Sequence, residues 1–216
     1  MAKIRSLTIL QEELDRELGW RIHELSFLRR QILGAKDSAE SAYIRAGISM
    51  LYAHWEGFIK ASASYYLEYV NFKKTKFSTA ADAFAYLSVK RDIDEMSKAR
   101  DHSFGLKVYR DLMKKVVSDE PLYFSTDIDT GSNLNSRRFL SILSATGIPE
   151  SKYEPYFNLL DEVLLARRNE IAHGQFLPVE RDSFLKTYDD MIMLMRWFKT
   201  DVENCASTDS YLLKEA

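Results

Sequence analysis

A chain of 216 residues suits one domain of moderate size, and its 46% apolar content, with 12 Phe and 12 Tyr, excludes a disordered composition. The formal net charge of −2 lacks the basic excess of a dedicated nucleic-acid binder, so any phosphate contact must come from a local patch. The single cysteine, Cys205, excludes an intrachain disulfide and a cysteine-based zinc site.

Only 8 Gly and 4 Pro occur, so long stretches run without a breaker and the expected fold is all-α. Residues 6–33 read as one long helix, because Leu7, Leu10, Leu14, Leu18, Ile22, Leu25, Leu28 and Ile32 recur at three- and four-residue steps, with Gly34 as the stop. Asp37 or Ser38 caps a second helix that runs to about Tyr69. Its stripe of Ile44, Ile48, Leu51, Trp55, Phe58 and Ser62 packs it antiparallel on the first. The basic linker 71–80 follows, then two or three shorter helices over 80–118, broken near 100–105. Residues 118–136 are rich in turn formers and read as irregular. A short helix over 136–147 has Ser136 or Asn135 as cap and Gly147 as stop. Residues 151–174 read as one helix and 184–205 as the last long one. No segment alternates at period two, so little or no sheet is expected. The start lacks the apolar run of a signal peptide and no stretch is long enough to span a membrane, so the expected setting is cytoplasmic, without a membrane partner.

The stretch RRNEIAHG, positions 167–174, concentrates chemistry at the end of one helix. On an ideal wheel Arg167 falls on the core face, where a charge needs a partner, and Glu56 on the second helix is the candidate for a structural ion pair. Asn169 and His173, four apart, share the solvent side. Arg168 and His173 stand about 140° apart, so they meet on one phosphate only if the helix bends after Arg168 or a second copy completes the site. An exposed histidine moves protons near neutral pH, and an arginine fork matches a phosphate. Together they suit transesterification of RNA, in which the 2′-OH attacks and no metal or other cofactor is needed. The plain alternative is two cations favouring a helix C-terminus.

RRNEIAHG resembles the Arg-x4–6-His motif of the HEPN superfamily, with Arg168, Asn169 and His173 as arginine, polar residue and histidine. LYAHWEGFIK (51–60) and SNLNSRRFLSIL (132–143) are similar to stretches of a prokaryotic HEPN branch linked to defence or toxin systems, often encoded beside a Toprim-like partner. The resemblance covers roughly residues 40 to 204. It implies a helical bundle with two long N-terminal helices, inserted shorter helices and a C-terminal motif helix pair. It also implies a homodimer with facing motifs, metal-independent RNase activity leaving 2′,3′-cyclic phosphate and 5′-hydroxyl ends, and an antitoxin or Toprim-like partner protein. Arg168 and His173 would be the catalytic pair, Asn169 their support, and Arg167, Glu56 and Glu170 structural neighbours. HEPN toxins silenced by adenylylation carry a tyrosine two residues after the histidine; Gln175 stands there in this chain. The domain is expected over 1–205, with 78–150 as an insertion and 206–216 as a flexible tail.

Asn133, Asn135, Arg137 and Arg138 are candidate RNA contacts beside the irregular loop. Lys73, Lys74, Lys76, His23 and His102 read as surface residues, His54 as a boundary residue, and Tyr65, Tyr66 and Tyr69 as core. The alternative to an endoribonuclease is a non-catalytic HEPN module that binds RNA or nucleotide and recruits a partner.

Overall fold

A computed structural model describes residues 3–131 and 133–213. Among them the chain forms seven α-helices: α1 (Leu7–Gly34), α2 (Asp37–Lys73), α3 (Asp82–Lys98), α4 (His102–Ser118), α5 (Ser136–Thr146), α6 (Ala166–Ala172) and α7 (Arg181–Ser207). The described residues contain no strand, only two isolated bridges, Lys76 with Pro121 and Ala80 with Leu212. None of the helices is long and apolar enough to cross a membrane. The all-α bundle expected from the sequence is the observed fold.

The frame is α1, α2 and α7, each packed on the other two. Ser6 starts α1 by accepting from the Ile9 amide at 3.2 Å, which satisfies a donor the helix itself cannot. Its leucine stripe buries Leu10, Leu14, Leu18 and Leu25 against α2, whose stripe from Ile44 to Ser62 is likewise buried. Each such large apolar side chain contributes about 1.5–3 kcal/mol when removed from water. Helices α2 and α7 approach closely at Gly47: an added Cβ would lie 2.8 Å from the Phe184 ring. The core continues into α5 through Phe139, whose ring meets Trp55 of α2 edge-on at 5.1 Å and Phe198 of α7 at 5.9 Å. Asn135 caps α5 and Gly147 ends it with φ +68, in the left-handed region that glycine enters without a Cβ clash. Helices α3 and α4 form an antiparallel hairpin; α3 packs on α5, and α4 packs chiefly on α3.

The structure departs from the sequence pattern in four places. Asp37 does not cap α2: it is the first helical residue, with φ +53, and the cap position, Lys36, makes no side-chain bond. Arg181, at the start of α7, holds this corner instead, donating to the Ala35 carbonyl at 3.0 Å and pairing with Glu40. Residues 206–213 are not a loose tail: Tyr211 is buried, and backbone bonds tie Ala81 to Tyr211 and Leu213 to Thr79. Residues 214–216 lie outside the described residues. His54 is buried, with Nε2 2.9 Å from Glu24 and its ring edge-on to Trp20 at 5.1 Å. Finally, 151–174 is not one helix. It opens as a single 3-10 turn, Glu154–Tyr156, runs through a π-helical segment, Leu159–Leu165, and only then becomes α6.

Candidate functional site

The π-helical segment sets up the site. Its wider turns close each hydrogen bond five residues apart rather than four, as in Ala166 N–H to the Asp161 carbonyl. Everything after it is therefore rotated about the helix axis relative to an ideal wheel. Leu160, Leu164 and Leu165 still face the core, but the position that turns toward α2 in the next turn is Arg168, not Arg167. Arg167 instead reaches Ser183 of α7, donating to its Oγ at 3.1 Å. Among the described residues Arg167 and Glu56 form no ion pair, contrary to the expectation from the ideal wheel.

Asp161 also builds the opposite wall. Its carboxylate accepts from the Ser136 amide at 2.6 Å and from Ser136 Oγ at 2.5 Å, holding the first turn of α5 against the π segment. Negative charge at a helix N-terminus is favoured by the helix dipole. The residues just before α5 are fixed in consequence. The Leu134 amide donates to the Tyr52 hydroxyl at 2.6 Å, and Asn135 Oδ1 accepts from the Arg138 amide at 2.9 Å.

Arg168 lies in the angle between these parts. Its guanidinium carbon sits 4.0 Å from the centre of the Tyr52 ring, and one Nη donates to Asn133 Oδ1. Its Nε is buried without a hydrogen-bond partner, while the residue as a whole is half-buried. The aromatic face attracts the cation and fixes the plane of the fork. Burial pushes the Tyr52 phenol above its ordinary value, against the opposing effects of the Leu134 amide and Arg168, so it stays protonated at neutral pH. Glu56, one turn further along α2, is half-buried and adds to that upward shift. The cradle is thus one cation, one amide acceptor, one phenol and one nearby carboxylate.

The other motif residues point elsewhere. Helix α6 is continuous through Ala172 and ends at His173, whose amide bonds back to the Asn169 carbonyl at 3.0 Å. The Gln175 amide bonds to the Glu170 carbonyl and Gly174 adopts φ +74, which closes the helix end in the manner of a C-terminal glycine cap. The helix therefore does not bend after Arg168. The two side chains stay about 140° apart around its axis, five residues along. His173 is exposed, and Asn169 and Glu170 are half-buried. Arg45 of α2 anchors the segment that follows, donating to the Gln175 carbonyl at 3.0 Å. Of the four candidate RNA contacts, Asn133 enters the cradle and Asn135 is used as the α5 cap. Arg138 faces Asp129 at 3.7 Å, and Arg137 is exposed on the surface of α5.

A family model, RiboL-PSP-HEPN, matches residues 16–204. The chain belongs to the RiboL-PSP-HEPN family. No curated protein and no solved structure matches it. The matched span of this HEPN chain holds the whole cradle, Tyr52, Asn133, Asp161 and Arg168, together with Asn169 and His173.

Two residues of the HEPN cradle escape a reading by residue type. Tyr52 sits among core aromatics and looks like one of them; the clue is that LYAHWEGFIK and SNLNS occur together, and they meet at the Tyr52 hydroxyl. Asp161 is one acid among several on its helix, and nothing in its residue type marks it as the acceptor for the first turn of α5.

Proposed function

We propose that this HEPN chain is a metal-independent endoribonuclease whose site forms where two copies of the motif helix meet. Arg168 presents a fixed, half-exposed fork to the scissile phosphate and steadies the charge that builds on its non-bridging oxygens. The ribose 2′-OH attacks the adjacent phosphorus, the bond to the 5′-oxygen breaks, and the products are a 2′,3′-cyclic phosphate and a 5′-hydroxyl. The exposed His173 of one protomer, facing Arg168 of the other, takes the proton from the 2′-OH and, as the imidazolium, returns a proton to the leaving 5′-oxygen. Asn169, on the same side as His173, orients the substrate.

The observation that carries this reading is the treatment of Arg168. The fold uses an aromatic face, an amide acceptor and a carboxylate at the start of α5 to hold one half-buried guanidinium in place. A cation that merely favoured the helix end would need none of these. Membership of a HEPN family supports the same direction. In the cell we assign the protein to the cytoplasm, as the toxin or effector of a prokaryotic defence or toxin–antitoxin system, checked by an antitoxin or Toprim-like partner.

A second reading, a HEPN module that binds RNA or nucleotide without cutting, is favoured by the separation of Arg168 and His173 within one chain. Incubating the protein with labelled structured RNA in excess EDTA separates the two. Cleavage to cyclic-phosphate ends by the wild type, lost in Arg168→Ala and His173→Ala, is the expected result. RNA that is retained on the protein but stays intact would establish the binding module instead.

A further inference from the structure

Helix α4 carries more apolar side chains than its own packing covers. One stripe, Val108, Leu112 and Val116 with Gly105, turns toward α3. A second stripe, Leu106, Tyr109, Met113 and Val117, lies beside it at the same three- and four-residue spacing and is bare, with Tyr109 48% and Val117 76% exposed. Single exposed apolar side chains are ordinary, but a complete helical stripe left without cover marks an interaction surface. At its N-terminal end the stripe runs into an open hollow of about 380 Å³ between the two helices, floored by Met96, Leu106 and Tyr109. Such a hollow suits a large side chain anchoring a partner.

The charges around the stripe select the occupant. Lys107, Arg110 and Lys114 flank it, and Arg100 borders the hollow. The helix has a single acid, Asp111, which faces Lys114 at 3.6 Å, and the preceding Asp101 is used as the helix cap. Arg100, Lys107 and Arg110 make no ion pair among the described residues. A second copy of α4 would bring the same cations opposite one another, which disfavours self-pairing. An RNA would lay its phosphates on an apolar strip with the cations only at the margin.

We propose that the outer face of α4 is the docking site for an amphipathic helix of a partner protein, apolar along the seam and acidic on its flanks. The mode is a helix laid along a groove, with main anchors at three- and four-residue spacing. The surface lies on the α3–α4 hairpin, away from the Arg168 cradle, so occupancy does not depend on RNA cleavage.

The test uses the full-length protein and two synthetic helical peptides with the same leucine seam, one flanked by glutamates and one by lysines, followed by fluorescence anisotropy. The glutamate-flanked peptide binds and the lysine-flanked one does not. Met113→Glu abolishes binding while the circular dichroism stays that of the wild type, because Met113 is exposed. The double change Lys107→Glu with Arg110→Glu weakens the glutamate-flanked peptide roughly tenfold or more and gives the lysine-flanked one an affinity it lacked. Equal binding of both peptides, or none of either, overturns the proposal. So does a self-association, or a flotation with phosphatidylserine vesicles, that Met113→Glu removes.

Discussion

The Arg168 guanidinium lies over the face of Tyr52, its central carbon 4.0 Å from the ring centre, and the hydroxyl of the same tyrosine accepts from the Leu134 amide. One side chain thus serves both halves of the cradle, the ring for the arginine and the oxygen for the loop that brings Asn133. The two services can be cut apart. Tyr52→Phe keeps the stacking surface but leaves a buried amide without its acceptor, which costs about 1–3 kcal/mol. Tyr52→Leu removes both. RNA cleavage by Tyr52→Leu should fall by roughly tenfold or more, as expected for a desolvated cation–π contact of about 1–2 kcal/mol, and Tyr52→Phe should fall less. Urea denaturation alongside single-turnover cleavage checks both. Equal loss of activity in the two variants would show that the hydroxyl, not the ring, places Arg168.

Asp161 acts on Arg168 at one remove. Asp161→Ala deprives the Ser136 amide and hydroxyl of their acceptor and removes a favourable charge from the start of α5. Loss of such a cap costs about 0.5–2 kcal/mol. Because Asn133 and Leu134 stand just before that turn, cleavage should fall as well. Asp161→Asn keeps one acceptor oxygen and should recover most of the stability. A cleavage rate unmoved in Asp161→Ala would break the link between the α5 cap and the arginine.

Much of this was legible in the sequence, for reasons that differ by element. Leu10, Leu14 and Leu25 on α1, and Ile48, Trp55 and Phe58 on α2, follow the ordinary helical period, and all are buried. Asn135 and Gly147 bracket α5 because a side-chain acceptor and a left-handed conformation are needed there. The position of His173, exposed at a helix end, also followed from the period. The roles of Arg167 and Arg168 did not, because the wheel assumes four-residue closure and the segment Leu159–Leu165 closes over five. Residue types carry no clear mark of that change. His54 differs for another reason: it lies off the α2 stripe, and it is buried beside Trp20 of α1, whose ring meets it edge-on.

His54 gives the fold a dependence on acid. Burial lowers its pKa below the ordinary value, with Arg21 acting in the same direction and Glu24 opposing. The unfolded chain, where the imidazole titrates near its usual 6.5, therefore binds the proton more readily than the folded one. Stability is at its full value above about pH 6.5 and falls as the pH drops from there toward the lowered folded value. Thermal unfolding followed by circular dichroism should show a falling Tm over that window. His54→Gln, which has no charge to gain, should flatten the fall. A pH profile identical in wild type and His54→Gln would assign the acid sensitivity to other groups.

Arg168 and His173 do not converge within α6. They stand on opposite parts of a helix that stays regular from Ala166 to Ala172, so one copy does not bring them onto one phosphate. If each site takes Arg168 from one protomer and His173 from its partner, two inactive variants can rescue one another. A mixed dimer of Arg168→Ala and His173→Ala has one site lacking both groups and one site lacking neither. Random exchange places half of the dimers in the mixed state, each with one working site, so activity should recover to about a quarter of the wild-type value. If each site instead took both groups from a single protomer, no mixed dimer would hold a complete set and the mixture would stay inactive. The assay needs only exchange of subunits, verified by a size tag on one variant, followed by cleavage of the same labelled RNA in EDTA.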